Sequence, residues 1–240
     1  MKQHFSIPSS IEKRLNVWTE WAEKQGTPSQ GMKPCITISR EYGCQAYRLS
    51  EAVLQRMNEH APEGEEWTML DRLLLDKIAR ESGYSKSELN YATHSNPAFR
   101  SMFANLMGPD TAKPEKAFTH IKRVIAYFAL AGNSIIIGRG GVAVAQNLPN
   151  TIHVRLIAPM EFKVRNLMNS MGLTSEEAAK RIIERQKERD KFIKHFTHLD
   201  LSDPGLYHLI LSNDKSTIRE MAEMVVSRTQ ALTETFELSV

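Results

Sequence analysis

The sequence predicts an α/β protein with a five-stranded parallel sheet and helices on both faces of that sheet. Five short apolar runs are separated by amphipathic helical patterns, an alternation typical of parallel sheets. Two of the runs, SIIIG and TIHVRLIAP, are almost continuously apolar, as expected for strands buried on both sides. The chain has 240 residues, 41% of them hydrophobic, which is enough for one sizeable core in a single domain.

The predicted elements follow one another from residue 34 onward. The strands are, in order, CITIS, EWTML, SIIIG, TIHVRLIAP and LYHLILSN. The main helical patterns are RLSEAVLQRMNEHA, DRLLLDKIARESG, GVAVAQNL, EFKVRNLMNSMG, TSEEAAKRIIERQKERDKFIKHF and KSTIREMAEMVVSRTQALTETF. The fifth of these helices opens on TSEE, which has the composition of a capping box.

Two segments stand outside this alternation. Residues 1–33 join an amphipathic pattern, SSIEKRLNVWTEWAEKQG, to the linker TPSQGMKP, so we expect an accessory helix attached to a domain of residues 34–240. Its apolar stripe is expected to pack on the protein's own core, with a partner protein or a second copy of the chain as the alternative. Residues 84–131 carry three helical patterns and no strand, which suits a substrate-covering lobe or a set of packing helices equally well.

Composition narrows the class of protein. A formal net charge of +3 favours a small anionic ligand slightly, and no basic patch interleaved with aromatic residues points to nucleic acid. The two cysteines fit neither a disulfide framework nor a zinc site, so we expect a reduced, cytoplasmic protein. No apolar stretch approaches the roughly 20 residues that span a bilayer, and no GxSxG, HExxH or CxxC motif is present.

The first stretch with chemical potential is REYGCQAY, a turn between a predicted strand and a predicted helix. Such a turn points backbone N–H groups and the positive end of a helix dipole at one spot, which favours phosphate. The full GxxxxGK[ST] signature is absent, and only Gly43 remains of its glycines. Arg48 is the nearest cation in the turn, with Arg40 upstream of it. A purely structural turn is the alternative.

The second stretch is SIIIGRGG, in which Arg139 lies between Gly138 and Gly140 at the end of a buried strand. Open α/β sheets bind their ligands at the carboxyl ends of strands, and a guanidinium there can grip a phosphate with two hydrogen bonds. A tight turn with a solvated arginine is the alternative.

The third stretch is the arginine-rich helix KRIIERQKERDKFIKHF. Arg181, Arg185 and Arg189 recur every four residues and so share one stripe of the helix. Facing the ligand crevice, this stripe would neutralise charge on a transferring phosphoryl group. A solvated helix laced by ion pairs to Glu184 and Glu188 is the alternative.

Taken in order, these motifs resemble the cytidylate kinase-like family of P-loop proteins. The resemblance rests on ITISREYGCQAYRLSEAV, LDRLLLDKIARESGYS, the run from SIIIGRGG to EFKVRNLM, and the run from LTSEEAAKR to LILSND, and it spans roughly residues 34 to 230. It implies a nucleoside-monophosphate-kinase fold with a phosphate loop after the first strand. It also implies a nucleotide-covering helical insertion at residues 84–131 and an arginine-bearing lid at residues 174–206.

The resemblance also implies roles for particular residues. Arg139 would hold the acceptor phosphate, and Arg185 and Arg189 would stabilise charge during transfer. Asp71 would lie near the acceptor or a metal, while a helix N-cap is its competing role. The nucleotide-binding residues implied are Gly43, Cys44, Gln45, Ala46, Tyr47, Arg48, Asp71 and Arg165.

The sequence departs from the family pattern at the phosphate loop. Gln45 and Ala46 stand where family members have glycines, the loop lysine has no counterpart, and Gly140 replaces an aspartate that helps read the nucleotide. The resemblance implies an ATP- and Mg²⁺-dependent phosphotransferase acting on a nucleoside monophosphate or a similar small phosphorylated acceptor. The alternative is a catalytically degraded, nucleotide-binding pseudokinase on the same fold.

Overall fold

A computed structural model describes residues 33–59, 61–72 and 116–237 of the chain. The predicted accessory helix within residues 1–33, the part of the predicted helix DRLLLDKIARESG after position 72, and the first two helical patterns of residues 84–131 lie outside the described residues. The third pattern of that insertion forms a helix, as predicted.

The described residues form five strands, six helices and one short 3₁₀ turn. The strands are β1 (Cys35–Arg40), β2 (Thr68–Leu70), β3 (Ser134–Ile137), β4 (Thr151–Ile157) and β5 (Leu209–Ser212). The helices are α1 (Ala46–Asn58), α2 (Lys116–Ala131), α3 (Gly141–Ala145), α4 (Met160–Met171), α5 (Ser175–Thr197) and α6 (Ile218–Glu237), and the 3₁₀ turn covers Pro204–Leu206.

All five strands are parallel and lie in the order β2-β3-β1-β4-β5, which confirms the predicted sheet. β1 is central, between β3 and β4. The chain leaves β1 into α1 on one face of the sheet and leaves β3 into α3 on the other face. The carboxyl ends of β1 and β3 therefore flank a crevice, which is where open α/β sheets bind ligands.

Two apolar layers sandwich the sheet. Ile36 and Ile38 of β1 are buried against α1 and α6, while Cys35 and Ile136 are buried against α2 and α3. Both faces of the central strands are covered, which explains why their sequences are almost continuously apolar. No helix in the described ranges is long and apolar enough to cross a bilayer.

Helix α5 begins with the predicted capping box. The Thr174 hydroxyl accepts a hydrogen bond from the Glu177 N–H at 3.3 Å, and the Glu177 carboxylate accepts one from the Thr174 N–H at 2.9 Å. Farther along, Ile182 packs with Leu167 of α4, and Ile193 packs with Val142 of α3. Helix α5 is therefore fixed at both ends and lies across the carboxyl edge of the sheet.

A buried histidine links β1 to β4. The Nδ1 atom of His153 lies 2.7 Å from the Thr37 hydroxyl, and both side chains are buried. Burial and the neighbouring His208 imidazole lower the pKa of His153 from 6.5 to about 4. The neutral ring thus belongs to the fold.

We predict that His153 makes folding sensitive to mild acid. Between about pH 6.5 and pH 4 the unfolded chain takes up a proton at His153 and the folded chain does not, so stability falls as the pH is lowered. Replacing His153 by Asn, which can keep the bond to Thr37, should reduce that loss by roughly 3 kcal/mol. Urea unfolding at a series of pH values measures the free energy of unfolding. If that free energy depends on pH equally in the two proteins, the prediction is contradicted.

Candidate anion-binding site

A cavity of about 620 Å³ opens at the carboxyl ends of β1 and β3, beneath α5. We call it the arginine cavity, because its described lining holds six arginines and a single carboxylate, that of Glu188. Such a surplus of positive charge in a concave site favours an anionic ligand. The arginines are Arg40, Arg72, Arg139, Arg181, Arg185 and Arg189.

The turn after β3 holds Arg139 in an unusual backbone conformation. Gly138, Arg139 and Gly140 have consecutive positive φ angles of 70°, 52° and 72°. A non-glycine residue is disfavoured there by about 1–2 kcal/mol, so surrounding contacts must hold it. The Gly141 N–H closes the turn on the Gly138 carbonyl at 2.8 Å, and the Arg139 guanidinium lies 5.8 Å from the centre of the Phe192 ring. Strain of this kind is found where a side chain has to be presented at a site.

Arg40, at the end of β1, is the residue of this site that sequence reasoning missed. Its guanidinium packs directly on Gly138, where any Cβ atom would overlap it. Burial, followed by the charges of Arg189 and Arg139, lowers the pKa of Arg40 to about 9, with Asp71 acting in the opposite direction. A partly buried cation among other cations is costly unless an anion joins them. In the sequence, the one indication of such a role was the position of Arg40 as the last residue of the central strand.

The three arginines of the α5 stripe all line the cavity. Arg189 is the most enclosed: its Nη1 donates to the Arg40 carbonyl at 2.9 Å, and its guanidinium lies 5.5 Å from the centre of the Tyr42 ring. Arg185 is exposed and pairs with Glu188 at 2.7 Å, and that hydrogen bond raises its pKa. The ion-paired helix and the cavity-lining stripe, which were alternatives from the sequence, thus coexist on one helix.

Some backbone donors at the start of the predicted phosphate loop are occupied, as is that of the preceding residue Tyr42. The Tyr42 N–H donates to the Gln186 side chain at 2.7 Å, and the Gln45 N–H donates to the Asn213 side chain, also at 2.7 Å. The Cys44 N–H donates to the Glu41 carbonyl at 3.3 Å. Amides that would otherwise be available to phosphate are used to fasten the loop to α5 and to the turn after β5.

Gly43 serves close packing of the loop on α4. Its φ of +97° disfavours other residues, and a Cβ there would lie 2.8 Å from the Cβ of Lys163. Lys163 in turn pairs with Glu41 at 2.8 Å, and Asn166 donates to the Gly43 carbonyl at 2.7 Å. The Gln45 side chain, which donates to Asn166 at 3.1 Å, is also part of this packing.

The first turn of α1 has backbone N–H groups that are available to a ligand. In the described part of the chain, no hydrogen bond is made by the backbone N–H groups of Ala46, Tyr47 or Arg48. These are the groups that a helix offers to a phosphate. The loop is therefore closed at its beginning and open at its helical end.

The remaining predicted residues lie apart from the arginine cavity. Arg48, Tyr47 and Arg165 are exposed and are absent from its lining, as is Cys44. Burial and the Glu41 charge raise the pKa of Cys44 to about 12, so its thiol is protonated and not a nucleophile. Asp71 directly precedes helical backbone at position 72 and acts electrostatically on Arg40, so both of its predicted roles stay open.

The fold and the site define a class of protein: a parallel α/β protein with an arginine-lined anion site at the carboxyl edge of its sheet. Within that class, the model of the cytidylate kinase-like family matches residues 35–215. The chain belongs to the cytidylate kinase-like family, which confirms the resemblance found in the sequence. The P-loop kinase fold that the resemblance implied is the fold of this family. Among curated proteins, no sequence matches the chain.

Two solved structures similar to the chain are both below 25% identical, and the first of them bears on the fold alone. An uncharacterized protein from Eubacterium ventriosum ATCC 27560 has a TM-score of 0.57 and 16% identity, covering 83% of this chain and 99% of that one. Shikimate kinase from Bacteroides thetaiotaomicron has a TM-score of 0.41 and 18% identity, covering 84% of this chain and 98% of that one.

We predict that Arg40 lowers the stability of the ligand-free protein. Replacing it by Met keeps the aliphatic stem and removes a partly buried cation, so the free energy of unfolding should rise by roughly 1 kcal/mol. The same change at exposed Arg219 should alter it by less than about 0.5 kcal/mol. Urea unfolding at pH 7 measures both, and a clear loss of stability in Arg40→Met would show that the guanidinium has a stabilising partner.

We also predict that the strain at Arg139 is measurable. Arg139→Gly should be more stable than Arg139→Ala by about 1 kcal/mol, because glycine adopts a positive φ freely. At Lys180, inside α5, the order should reverse, with the alanine variant more stable by about 1 kcal/mol. Equal stability of the two Arg139 variants in urea would mean that this turn is not strained.

Proposed function

We propose that the protein is a nucleotide-kinase-like phosphotransferase that holds a phosphorylated acceptor in the arginine cavity. The observation that carries the proposal is the convergence of Arg40, Arg139 and Arg189 at the carboxyl ends of β1 and β3. Family membership supplies the reaction class, and the acceptor is a nucleoside monophosphate or a similar small phosphorylated molecule.

The acceptor phosphate is assigned to Arg139. Its guanidinium can make two parallel hydrogen bonds to phosphate oxygens, and the strained turn fixes its direction. Arg40 lies behind it on Gly138 and adds a second cation that becomes favourable only when an anion is bound. Ligand binding therefore relieves a repulsion that the free protein contains.

The donor is assigned to ATP, with its phosphates at the first turn of α1. The free N–H groups of Ala46, Tyr47 and Arg48 suit that role, and Arg48 offers a cation that can substitute for the missing loop lysine. Mg²⁺ would bind together with the donor phosphates, and such an ion needs only one or two carboxylates from the protein. Asp71 is our candidate for one of these carboxylates. Such an ion would neutralise charge on the donor phosphates.

The arginines of α5 act during transfer. An oxygen of the acceptor phosphate forms a bond to the terminal phosphorus of the donor while the bond to the leaving diphosphate oxygen breaks. Arg185 and Arg189 face the cavity and would neutralise charge on the equatorial oxygens. Arg165, exposed on α4, stays a predicted nucleotide-binding residue. The proposed ligand is a nucleotide, and the proposed location of the protein is the cytoplasm. Assembly into an oligomer, or binding of a partner through the N-terminal helix, stays a prediction.

One observation favours a second function, that of a nucleotide-binding pseudokinase. The loop amides of Tyr42 and Gln45 are bound to Gln186 and Asn213, so a donor must either displace these side chains or do without those amides. In that case the arginine cavity binds its ligand and no phosphoryl group moves.

Phosphate transfer from ATP across a panel of nucleoside monophosphates tests the proposal. Arg139→Ala and Arg185→Ala should each lower kcat/KM by about 10- to 100-fold, since each removes a hydrogen bond to a charged group. Lys180→Ala is the matched control, because Lys180 is exposed on the same helix and lines neither the arginine cavity nor the one described below. It should change kcat/KM by less than about twofold.

The two functions give different results in a paired measurement. A nucleoside monophosphate should raise the thermal midpoint of the wild type and not that of Arg139→Ala. Stabilisation with turnover supports the phosphotransferase, and stabilisation without turnover on any acceptor supports the pseudokinase. Turnover that both arginine variants retain in full would overturn the assignment of the site.

A further inference from the structure

A second cavity, of about 640 Å³, lies on the other side of α5. We call it the β4 cavity, because Arg155 of β4 forms part of its lining, together with the start of α4, one face of α5 and residues 199–202. Leu201 is the residue that the two cavities have in common. What binds in one is therefore physically separate from what binds in the other.

Arg155 is a buried cation that makes no ion pair within the described residues, although its charge and that of Asp200 act on each other. The residue is only 7% exposed, and its Nη1 donates to the Tyr207 hydroxyl at 3.3 Å. The Tyr207 ring lies 5.5 Å from the guanidinium, and its hydroxyl donates to the Leu201 carbonyl at 2.8 Å, so the arginine is held in place. In the described ranges no carboxylate reaches ion-pair distance of Arg155. Burying such a charge is unfavourable unless an anion is supplied.

The rim of the β4 cavity adds further positive charge. Lys187, Lys191 and Lys194 are exposed on the face of α5 that lines it. The cavity has two carboxylates: Asp190 accepts from Gln186 at 2.8 Å, and Asp200 accepts from the Ser202 hydroxyl at 2.7 Å. The cations in the lining outnumber these two carboxylates, so the field inside is positive, with a buried guanidinium at the floor and exposed ammonium groups at the mouth.

Apolar side chains form the remaining walls. Met160 at the start of α4 is 42% exposed, and Ile183 on α5 is 59% exposed, and both line the cavity. Large apolar groups left in contact with water beside a charged floor suit a ligand that has an uncharged body and an anionic group. Methionine also adapts its shape to different flat or apolar partners.

We infer that the β4 cavity is a second ligand site, which binds a small phosphorylated molecule through Arg155 and covers its apolar part with Met160 and Ile183. The phosphoryl oxygens accept hydrogen bonds from the guanidinium N–H groups that Tyr207 leaves free, and the rim lysines add attraction. This inference is independent of the proposed function, because it uses no residue assigned to phosphoryl transfer.

Methyl NMR of the full-length protein with phenyl phosphate as the probe tests it. Phenyl phosphate combines a dianion with an apolar ring and is small enough for the cavity. The methyl signals of Met160 and Ile183 should shift together and give a single Kd. The methyl signals of Ile137 and Ile193, which line the arginine cavity, report binding there separately.

Two variants define the expected outcome. Lys187→Ala with Lys191→Ala should raise the Kd read at Met160 by about tenfold at low salt, while Lys180→Ala should leave it within about twofold. Both changes are on the exposed surface of a helix, where alanine is well tolerated. Arg155→Met should remove the Met160 shift, and its thermal unfolding shows whether the variant is folded.

Three results would overturn the inference. Phenyl phosphate could shift only Ile137 and Ile193, which would assign all binding to the arginine cavity. The Met160 signal could stay unchanged at millimolar probe. Its Kd could also be the same in the double lysine variant as in the Lys180→Ala control.

Discussion

Repulsion between arginines at one edge of the sheet is the constraint on which the rest of this structure depends. Arg40, Arg139 and Arg189 converge where β1 and β3 end, and the pKa of Arg40 is lowered by burial and by the other two charges. A folded protein keeps such an arrangement when the surrounding structure holds it and a ligand of opposite charge repays it. The glycines beside Arg139 and the packing of Arg40 on Gly138 serve that arrangement.

Helix α5 connects this edge to the remainder of the molecule. One face presents arginines to the arginine cavity, the other presents lysines to the β4 cavity, and Gln186 binds the loop after β1. A movement of α5 would therefore change the shape of both cavities and, at the same time, break the hydrogen bond between Gln186 and the Tyr42 N–H. This makes the helix the element through which ligands at the two sites could influence each other, with Gln186 as the direct link to the loop.

The loop after β1 is fastened to its neighbours by both side chains and backbone. The Gln45 side chain donates to Asn166 of α4, and the Gln45 N–H donates to Asn213. The backbone N–H groups at the start of α1 make no hydrogen bond within the described residues. The segment predicted to bind phosphate therefore has structural partners for some of its donors and leaves others available.

The sequence by itself determined the order of strands and helices, the parallel sheet, the start of α5 and the spacing of its arginine stripe. These follow from local rules, because hydrophobic period, capping residues and residue spacing act within a few positions of the chain. Only the tertiary structure decided that Arg40 joins Arg139 and that Arg155 is buried without an ion-paired carboxylate among the described residues. It also decided that the Tyr42 and Gln45 amides bind Gln186 and Asn213, which are 144 and 168 positions farther along the chain. Those contacts depend on which strands become neighbours and on how α5 crosses them, and no local pattern encodes that geometry.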